Sequence, residues 1–574
     1  MPKSPEFRRL LRGCAAGFAA AGAFSLAINL LYLAGPLYML QVYDRVVPSG
    51  SEVTLLMLTV ALLLAYLVLA GLDMVRATIL TRLSIRIDRQ MAPRVMQAII
   101  AGPVAGGEAR GQILREFDTF RQFASGGGIH AIFDLPWAPI YVATIFILHW
   151  VLGIFAVVCC LALLAMALLN ELLIRKPLAE ANAAAARSYG FTEAAVRNGE
   201  IVRAMGMTAG LLHRWARDRA VMLSRQAGAS DRGAAVQAVI RFLRLGMQSA
   251  VLGLGAYLVI EHDASSGAMF AASLLLGRAL QPIEQVVGGW RNQTAARRAM
   301  RRLDELFLAR PVAERALTLP RPAGRLEVEN LTCVVPGQPA PLLRGVSFAL
   351  AAGEVLGVIG PSGAGKSTLA RHLVGVVAAS AGSVRLDGAD VVAWSRSTLG
   401  QHVGYLPQDI ELFSGTVGAN INRFETDNDG ATLRAAQRAR VHDLVLRLGD
   451  GYETLVGEGG VALSGGTRQR IGLARAVYGA PSLVVLDEPS SNLDASGDSA
   501  LADCVHDLKN DGTTTVVISH RLSTLGVVDK LLLLRDGQAL MFGPRAEVLA
   551  KLSQQQAAEG GPGVQPVRRI RSGG

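Results

Sequence analysis

Twenty consecutive residues without a charge, Val53 to Leu72, constrain this chain more than any other feature. As a helix rising about 1.5 Å per residue they reach about 30 Å, the thickness of a hydrocarbon layer. A backbone in lipid has no water to bond, so such a run must close its hydrogen bonds on itself as a helix. Gly17 to Val42 is a second run, interrupted only by Pro36. Leu135 to Asn170 contains no Asp, Glu, Lys or Arg, room for two helices joined by a tight turn near His149 and Trp150. Six membrane helices are predicted, at about residues 17–42, 53–73, 135–150, 151–171, 236–260 and 264–285, the last weakened by Arg278.

Composition supports this reading. The 574 residues are 51% hydrophobic and 18% charged, too apolar for an ordinary soluble chain of this length. The net charge of +11 is assigned to loops held in the cytosol by the positive-inside rule, not to nucleic acid. Stretches 76–94 and 187–206 are long and basic, so they are placed inside. The short connections 44–52 and 261–267 face outward, leaving both termini in the cytoplasm of a multi-pass protein. The opening "MPKSPEFRRLLRG" lacks a convincing cleavage site and reads as the flank of an uncleaved first helix. Five cysteines without CxxC spacing imply neither a disulfide framework nor a cysteine metal site.

Beyond residue 310 the character changes. Residues 311–324 are charged and proline-containing, a linker. Short β-like runs then alternate with helical patterns through residue 553, as in a soluble α/β domain. Residues 554–574 are rich in Gly, Gln, Pro and Arg and are expected to be disordered.

Within the α/β region, "VLGVIGPSGAGKSTLARHL" (355–373) places a glycine-rich loop between a strand and a helix. Gly360, Pro361, Ser362, Gly363, Ala364, Gly365, Lys366, Ser367 and Thr368 form a phosphate-binding loop of the G-x-x-x-x-G-K-S type. Its glycines let backbone N–H groups close on phosphate oxygens, Lys366 can reach the outer phosphates of ATP, and Ser367 can ligate Mg²⁺. "LVVLDEP" (483–489) reads as a buried strand delivering Asp487 to its end. There Asp487 would serve the Mg²⁺ shell and Glu488 would polarise the attacking water. An acidic pair at a strand end that is merely solvated is the alternative, disfavoured by the upstream loop.

"LSGGTRQR" (463–470) lies between these elements, and with it the region resembles the nucleotide-binding domain of ABC transporters. Ser464, Gly465 and Gly466 sit at a helix start and can offer backbone donors to an anion. The resemblance implies that they complete the ATP site of a second subunit. It extends to Gln408 in "VGYLPQDIELF", His520 in "TVVISHRLST" and Asp494 in "SSNLD". By it, Gln408 senses Mg²⁺ and water, and His520 contacts the γ-phosphate. The chain departs from the family at Thr467, where Gln is usual, and at Val335, where an aromatic often stacks on adenine.

One membrane half and one ATPase half imply a homodimer. "FDLPWAPIY" (133–141), "GPLYMLQVYDRVVPSGS" (35–51) and "GRALQPIEQVVGGW" (277–290) are similar to motifs of type I secretion ABC transporters, in the branch exporting proteases, lipases and repeat-in-toxin proteins. The fold class implied is a six-span helical transmembrane domain of the ABC exporter type fused to an α/β P-loop NTPase domain. The function implied is ATP-driven export of unfolded polypeptides with an uncleaved C-terminal signal across the bacterial inner membrane. A periplasmic adaptor and an outer-membrane channel are the implied partners. Barely fifteen residues precede the first helix, so no peptidase-like domain is expected there. In the first motif Pro136 and Pro139 favour a helix start, Trp137 and Tyr141 suit a membrane interface, and Asp134 suits the polar zone. Arg278 either lines the polypeptide path or snorkels to the cytosolic side. The cytosolic loops expected near Arg115–Phe123 and Ile201–Met207 are candidates for passing motion from the ATPase to the membrane. Two rival readings are an exporter of lipids or small molecules and a non-catalytic channel or scaffold.

Overall fold

The structure is a computed structural model describing residues 3–102, 107–309, 319–335, 340–425, 428–457, 463–519 and 526–558. It divides into two compact units, Met1–Val312 and Ala313–Gly574.

The first unit is all helical. Five of its described helices are long and apolar enough to cross a membrane: Ala15–Ser49, Glu52–Ile100, Gly128–Leu148, Trp150–Arg197 and Thr208–Ile260. Three of these run to 48 residues or more, so each continues far past any bilayer, at about 1.5 Å per residue. Hydropathy marks only their apolar parts. The Ala138–Leu148 and Trp150–Arg197 helices are separated by one residue, His149, whose extended backbone makes the turn and whose Nδ1 accepts the N–H of Val151.

The helix at the weak sixth run, Ser266–Gly288, is not among the five. It is the most enclosed of the set, packing on its neighbours through Ala271, Ala272, Leu275, Leu276, Ala279 and Leu280. Its hydropathy is modest because Arg278, Gln281, Glu284 and Gln285 interrupt the apolar run, residues that a helix packed among others can turn toward protein or water.

The expected outward loop 44–52 is mostly helical. A π-turn at Val42–Val46 and a short helix at Val47–Ser49 carry the first span on to Gly50, which takes a left-handed φ of 60°. Asp44 thereby reaches the start of the Ser266–Gly288 helix, accepting from Ser265 Oγ (2.6 Å) and the Gly267 N–H (2.7 Å). Gly267 is required there, since a Cβ would lie 2.6 Å from the Leu40 carbonyl oxygen.

The basic opening is also structured. Ser4 caps the Pro5–Arg12 helix, Phe7 is fully buried against Phe120 and Phe307, and Asp304 accepts the N–H groups of Lys3 and Ser4. Arg115–Phe123 lies inside the Gly107–Ser125 helix with Phe117 and Phe120 buried, not in a loop. Ile201–Met207 does form a tip, exposing Ile201, Met205 and Met207.

The second unit is α/β. A six-stranded sheet runs in the order Gln538–Pro544, Lys530–Arg535, Val355–Ile359, Thr514–Ile518, Leu483–Asp487, Val403–Leu406, parallel except for its first strand. Its central strands are buried on both faces, as their unbroken runs of Val, Leu and Ile require. Val484, Leu486 and Val517 face one core cluster, and Leu483, Val485, Val516 and Ile518 the other. A four-stranded antiparallel sheet (Leu343–Leu350, Leu326–Cys333, Ala381–Leu386, Ala389–Asp390) packs into the second cluster. The Arg545–Ala558 helix continues five residues beyond the end assigned from composition, and residues 559–574 lie outside the described residues.

Candidate functional site

Register positions the site. Ile518 pairs with Val358 on one side and Asp487 on the other, so the loop at Gly360 and the carboxylates at 487–488 emerge from one edge of the sheet. That edge, at the carboxyl ends of parallel strands, is where open α/β sheets bind ligands.

The loop's shape depends on its glycines. Gly360 has φ 154°, and a Cβ there would sit 2.0 Å from the Leu534 carbonyl oxygen. Gly365 has φ 97° and leads into the Lys366–Leu373 helix. Lys366 is 6% exposed, and its Nζ donates to the carbonyls of Gly360 (2.8 Å) and Pro361 (2.9 Å). Burial lowers its pKa from the ordinary lysine value, against the pull of Glu488 and Asp487. The ammonium is thus held over the loop by acceptors that a phosphate oxygen could replace.

Asp487 is 1% exposed, and its Oδ1 has no hydrogen-bond partner among the described residues. Burial raises its pKa above the ordinary carboxylate range, Glu488 adding to this, while a hydrogen bond from Ser367 and the charges of Arg371 and Lys366 oppose it. A buried carboxylate oxygen without a donor, beside a serine hydroxyl, suits a hard divalent cation. Glu488 stands in the left-handed region at φ 49°, its N–H bonded to the Ile518 carbonyl (3.0 Å). Its Oε2 accepts from Nε2 of the exposed Gln408 (3.0 Å). Strained backbone of this kind persists where surrounding structure fixes it. Ser367, Gln408, Asp487, Glu488 and Lys366 are therefore brought together. His520 lies outside the described residues.

The signature residues are arranged differently. Ser464 caps the Gly465–Val477 helix, accepting from the Thr467 N–H (3.2 Å), and its hydroxyl pairs with that of Thr467 (2.8 Å). Gly465 and Gly466 abut Asn492. Among the described residues no hydrogen bond joins Ser464, Gly465 or Gly466 to the 360–368 loop. Asp494 is exposed and caps the Ala495–Asn510 helix through the Gly497 N–H (2.8 Å). That bond and one from Ser496 hold its carboxyl below the usual range. Val335 is half-buried just past the Leu326–Cys333 strand.

Gln469 was not singled out from sequence. It is 1% exposed, donates to the Pro489 carbonyl (2.7 Å), and accepts from Asn492 (3.1 Å). It ties the signature helix to the segment carrying Glu488. Its signal was its place inside "LSGGTRQR", where a buried amide needs fixed partners.

A second polar centre lies in the helical unit. Asp134, assigned to a polar zone, is a hub: its Oδ1 accepts from Ser25, from Asn29 Nδ2 (3.0 Å) and from Arg76 (2.7 Å). Arg76 also bonds Asp73 (2.7 Å), and the Tyr141 hydroxyl donates to Asn29 Oδ1 (2.8 Å). Tyr141 is 1% exposed, so it is an interior residue and not an interfacial one. A cavity of about 440 Å³ adjoins this cluster, with Arg278 on its wall.

Residues 343–491 match the family "ABC transporter" and residues 18–282 match "ABC transporter transmembrane region". The type I secretion system ATP-binding protein PrsD of Rhizobium meliloti (strain 1021) is 43% identical over 553 residues, 96% of this chain and 95% of that one. The cyclolysin secretion/processing ATP-binding protein CyaB of Bordetella pertussis is 29% identical over 94% of this chain and 77% of its own length. The alpha-hemolysin translocation ATP-binding protein HlyB of Proteus vulgaris is 27% identical over 92% and 75%. In fold, the chain superposes on a bacterial Atm1-family ABC exporter with ATP bound, at TM-score 0.79 and 21% identity, covering 97% of this chain and 99% of that one.

Proposed function

The chain belongs to the ABC transporter family, among the type I secretion system ATP-binding proteins, and from this we propose that it uses ATP to export unfolded polypeptides across the bacterial inner membrane. The observation carrying the proposal is the convergence of Lys366, Ser367, Asp487, Glu488 and Gln408 at one sheet edge, in a chain that also bears membrane-length helices.

The phosphate chain of ATP is held by the 360–368 loop, whose backbone N–H groups and helix start favour anions. Lys366 exchanges its loop carbonyls for phosphate oxygens. Glu488, fixed by its strained backbone and by Gln408, orients and polarises the attacking water. His520 is assigned the γ-phosphate by family likeness. Ser367, Asp487 and Gln408 fit Mg²⁺, which when bound neutralises charge on the phosphates.

By family likeness the chain works as a homodimer, in which each copy's signature helix closes on the ATP held by the other. Six helices per copy would line the path, with N-terminus and ATPase in the cytoplasm. The exposed tip at Ile201–Met207 offers apolar side chains for coupling. The cargo carries an uncleaved C-terminal signal, and a periplasmic adaptor and outer-membrane channel continue the route. Inverted inner-membrane vesicles containing the chain should take up such a protein only with hydrolysable ATP. Uptake without ATP, or uptake of lipid or drug substrates in its place, would overturn the reading.

A further inference from the structure

The mechanism above leaves the cavity in the helical unit unused. Its walls come from six helical segments, and include Tyr32, Asp73, Arg76, His130, Arg278 and Gln281. At about 1.5 Å per residue, Arg278 lies about 18 Å along the helix from Ser266, near its middle. A charge at that depth faces protein or water and marks a pathway or a partner.

The charges on the walls are not equivalent. Arg76 is held by two carboxylates, Asp73 and Asp134, and braces three helical segments. Glu284, on the same helix as Arg278, is taken by Arg244 (2.9 Å). Arg278 has no carboxylate within ion-pair distance among the described residues. Its guanidinium carbon lies 3.9 Å from the Tyr32 ring centroid, and one nitrogen donates to Gln281 Oε1 (3.2 Å). Beyond the nitrogen bonded to Gln281, the guanidinium keeps further N–H donors in its planar fork, the group that receives a carboxylate. Two further polar atoms on these walls lack partners among the described residues: the donor Arg76 Nε, on a residue 5% exposed, and His130 Nε2, which donates or accepts according to its tautomer. Buried polar atoms of this kind ordinarily have a partner or a water.

We propose that this cavity docks a single carboxylate of the transported polypeptide, with Arg278 as its counter-charge. The proposal rests on the export reading for the identity of the ligand. Asp73 and Asp134 on the same walls limit the charge that can enter, so a monoanion is favoured over a phosphate dianion. Tyr32 and Gln281 are positioning residues, holding the guanidinium at the cavity wall.

The test uses the full chain in nanodiscs of neutral lipid and fluorescent Gly-Ser peptides. One peptide carries a free C-terminal carboxylate, one a single Glu with an amidated end, and one Gln with an amidated end. The two carboxylate peptides should bind, and the uncharged one should bind at least about tenfold more weakly. Comparison of the first two tells a terminal from a side-chain carboxylate. Arg278→Gln should remove the difference, and Arg278→Lys should restore part of it because charge returns without the planar fork. Melting temperature of each variant checks folding. Equal binding of all three peptides to the wild type, or undiminished preference in a folded Arg278→Gln variant, would overturn the site. Displacement by phosphatidylglycerol as effective as by the Glu peptide would overturn the carboxylate assignment. Peptide preference without vesicle uptake would sink the export reading and leave the site, whereas uptake without preference would do the reverse.

Discussion

The two polar centres differ in how their parts are spread along the chain. The ATP-site candidates come in short blocks, Gly360–Thr368 and Asp487–Glu488, which the sheet brings to one end on either side of the Thr514–Ile518 strand. The Asp134 cluster draws single residues from distant helices: Ser25, Asn29, Asp73, Arg76 and Tyr141. The first depends on backbone conformation over a few consecutive residues. The second exists only once the helices have packed. Substitutions should therefore act on chemistry in the first and on assembly in the second.

The largest effect is expected at Glu488. Glu488→Gln keeps size and the Gln408 contact but removes the base, and turnover should fall by about 10²–10⁴ with ATP still bound. ATPase rate and nucleotide retention check this. A loss of ATP binding equal to the loss of turnover would show that the residue acts structurally. At Asp134 the expectation is the opposite. Asp134→Ala takes from Arg76, 5% exposed, the more buried of its two carboxylates and leaves it Asp73. Leaving a buried charge wholly unpaired costs about 3–5 kcal/mol, and with Asp73 retained the loss should fall below that, read as a lower melting temperature in detergent. Combining it with Arg76→Met should recover much of that loss. If the single variant melts like the wild type, the cluster is not a structural hub.

This contrast also explains what the sequence made legible. The strand–loop–helix order around Lys366 follows from apolar runs and glycines in immediate succession. Asp134 was visible in "FDLPWAPIY", yet its partners were not. Arg76 opens a basic stretch and reads as a solvated inside charge, while Asn29 is a lone polar residue in an apolar run. Tyr141 carries the same ambiguity, since a tyrosine near a helix start suits both an interface and a buried hydrogen bond. Hydropathy undervalued the Ser266–Gly288 helix for a related reason, because it counts apolar residues and not the neighbours that enclose them.

Smaller effects sharpen the comparison. Gln469→Ala removes the bonds between the signature helix and the Pro489 segment, at about 1–3 kcal/mol for the buried groups left unpaired. Denaturant unfolding of the soluble unit's signal should shift, with turnover falling further than ATP affinity. Thr467→Val deletes the hydroxyl paired with Ser464 but leaves the backbone cap. About 1 kcal/mol or less is expected, and a large loss of ATPase would give Thr467 a role beyond capping. Least of all should happen to Cys504, whose thiol is fully buried and pushed up to about 12. Alkylation at neutral pH should occur only as fast as the unit unfolds, because the thiolate is the reactive form.

The central claim is that hydrolysis needs the loop of one copy and the signature of another. Co-expressing two differently tagged chains, one Lys366→Ala and the other Gly466→Asp, and purifying through both tags gives a mixed pair. In it one site keeps an intact loop and an intact signature. ATPase is predicted to be negligible in either variant alone and to return in the mixed pair. A mixed pair no more active than its parts, or full activity in the Gly466→Asp variant alone, would contradict the account.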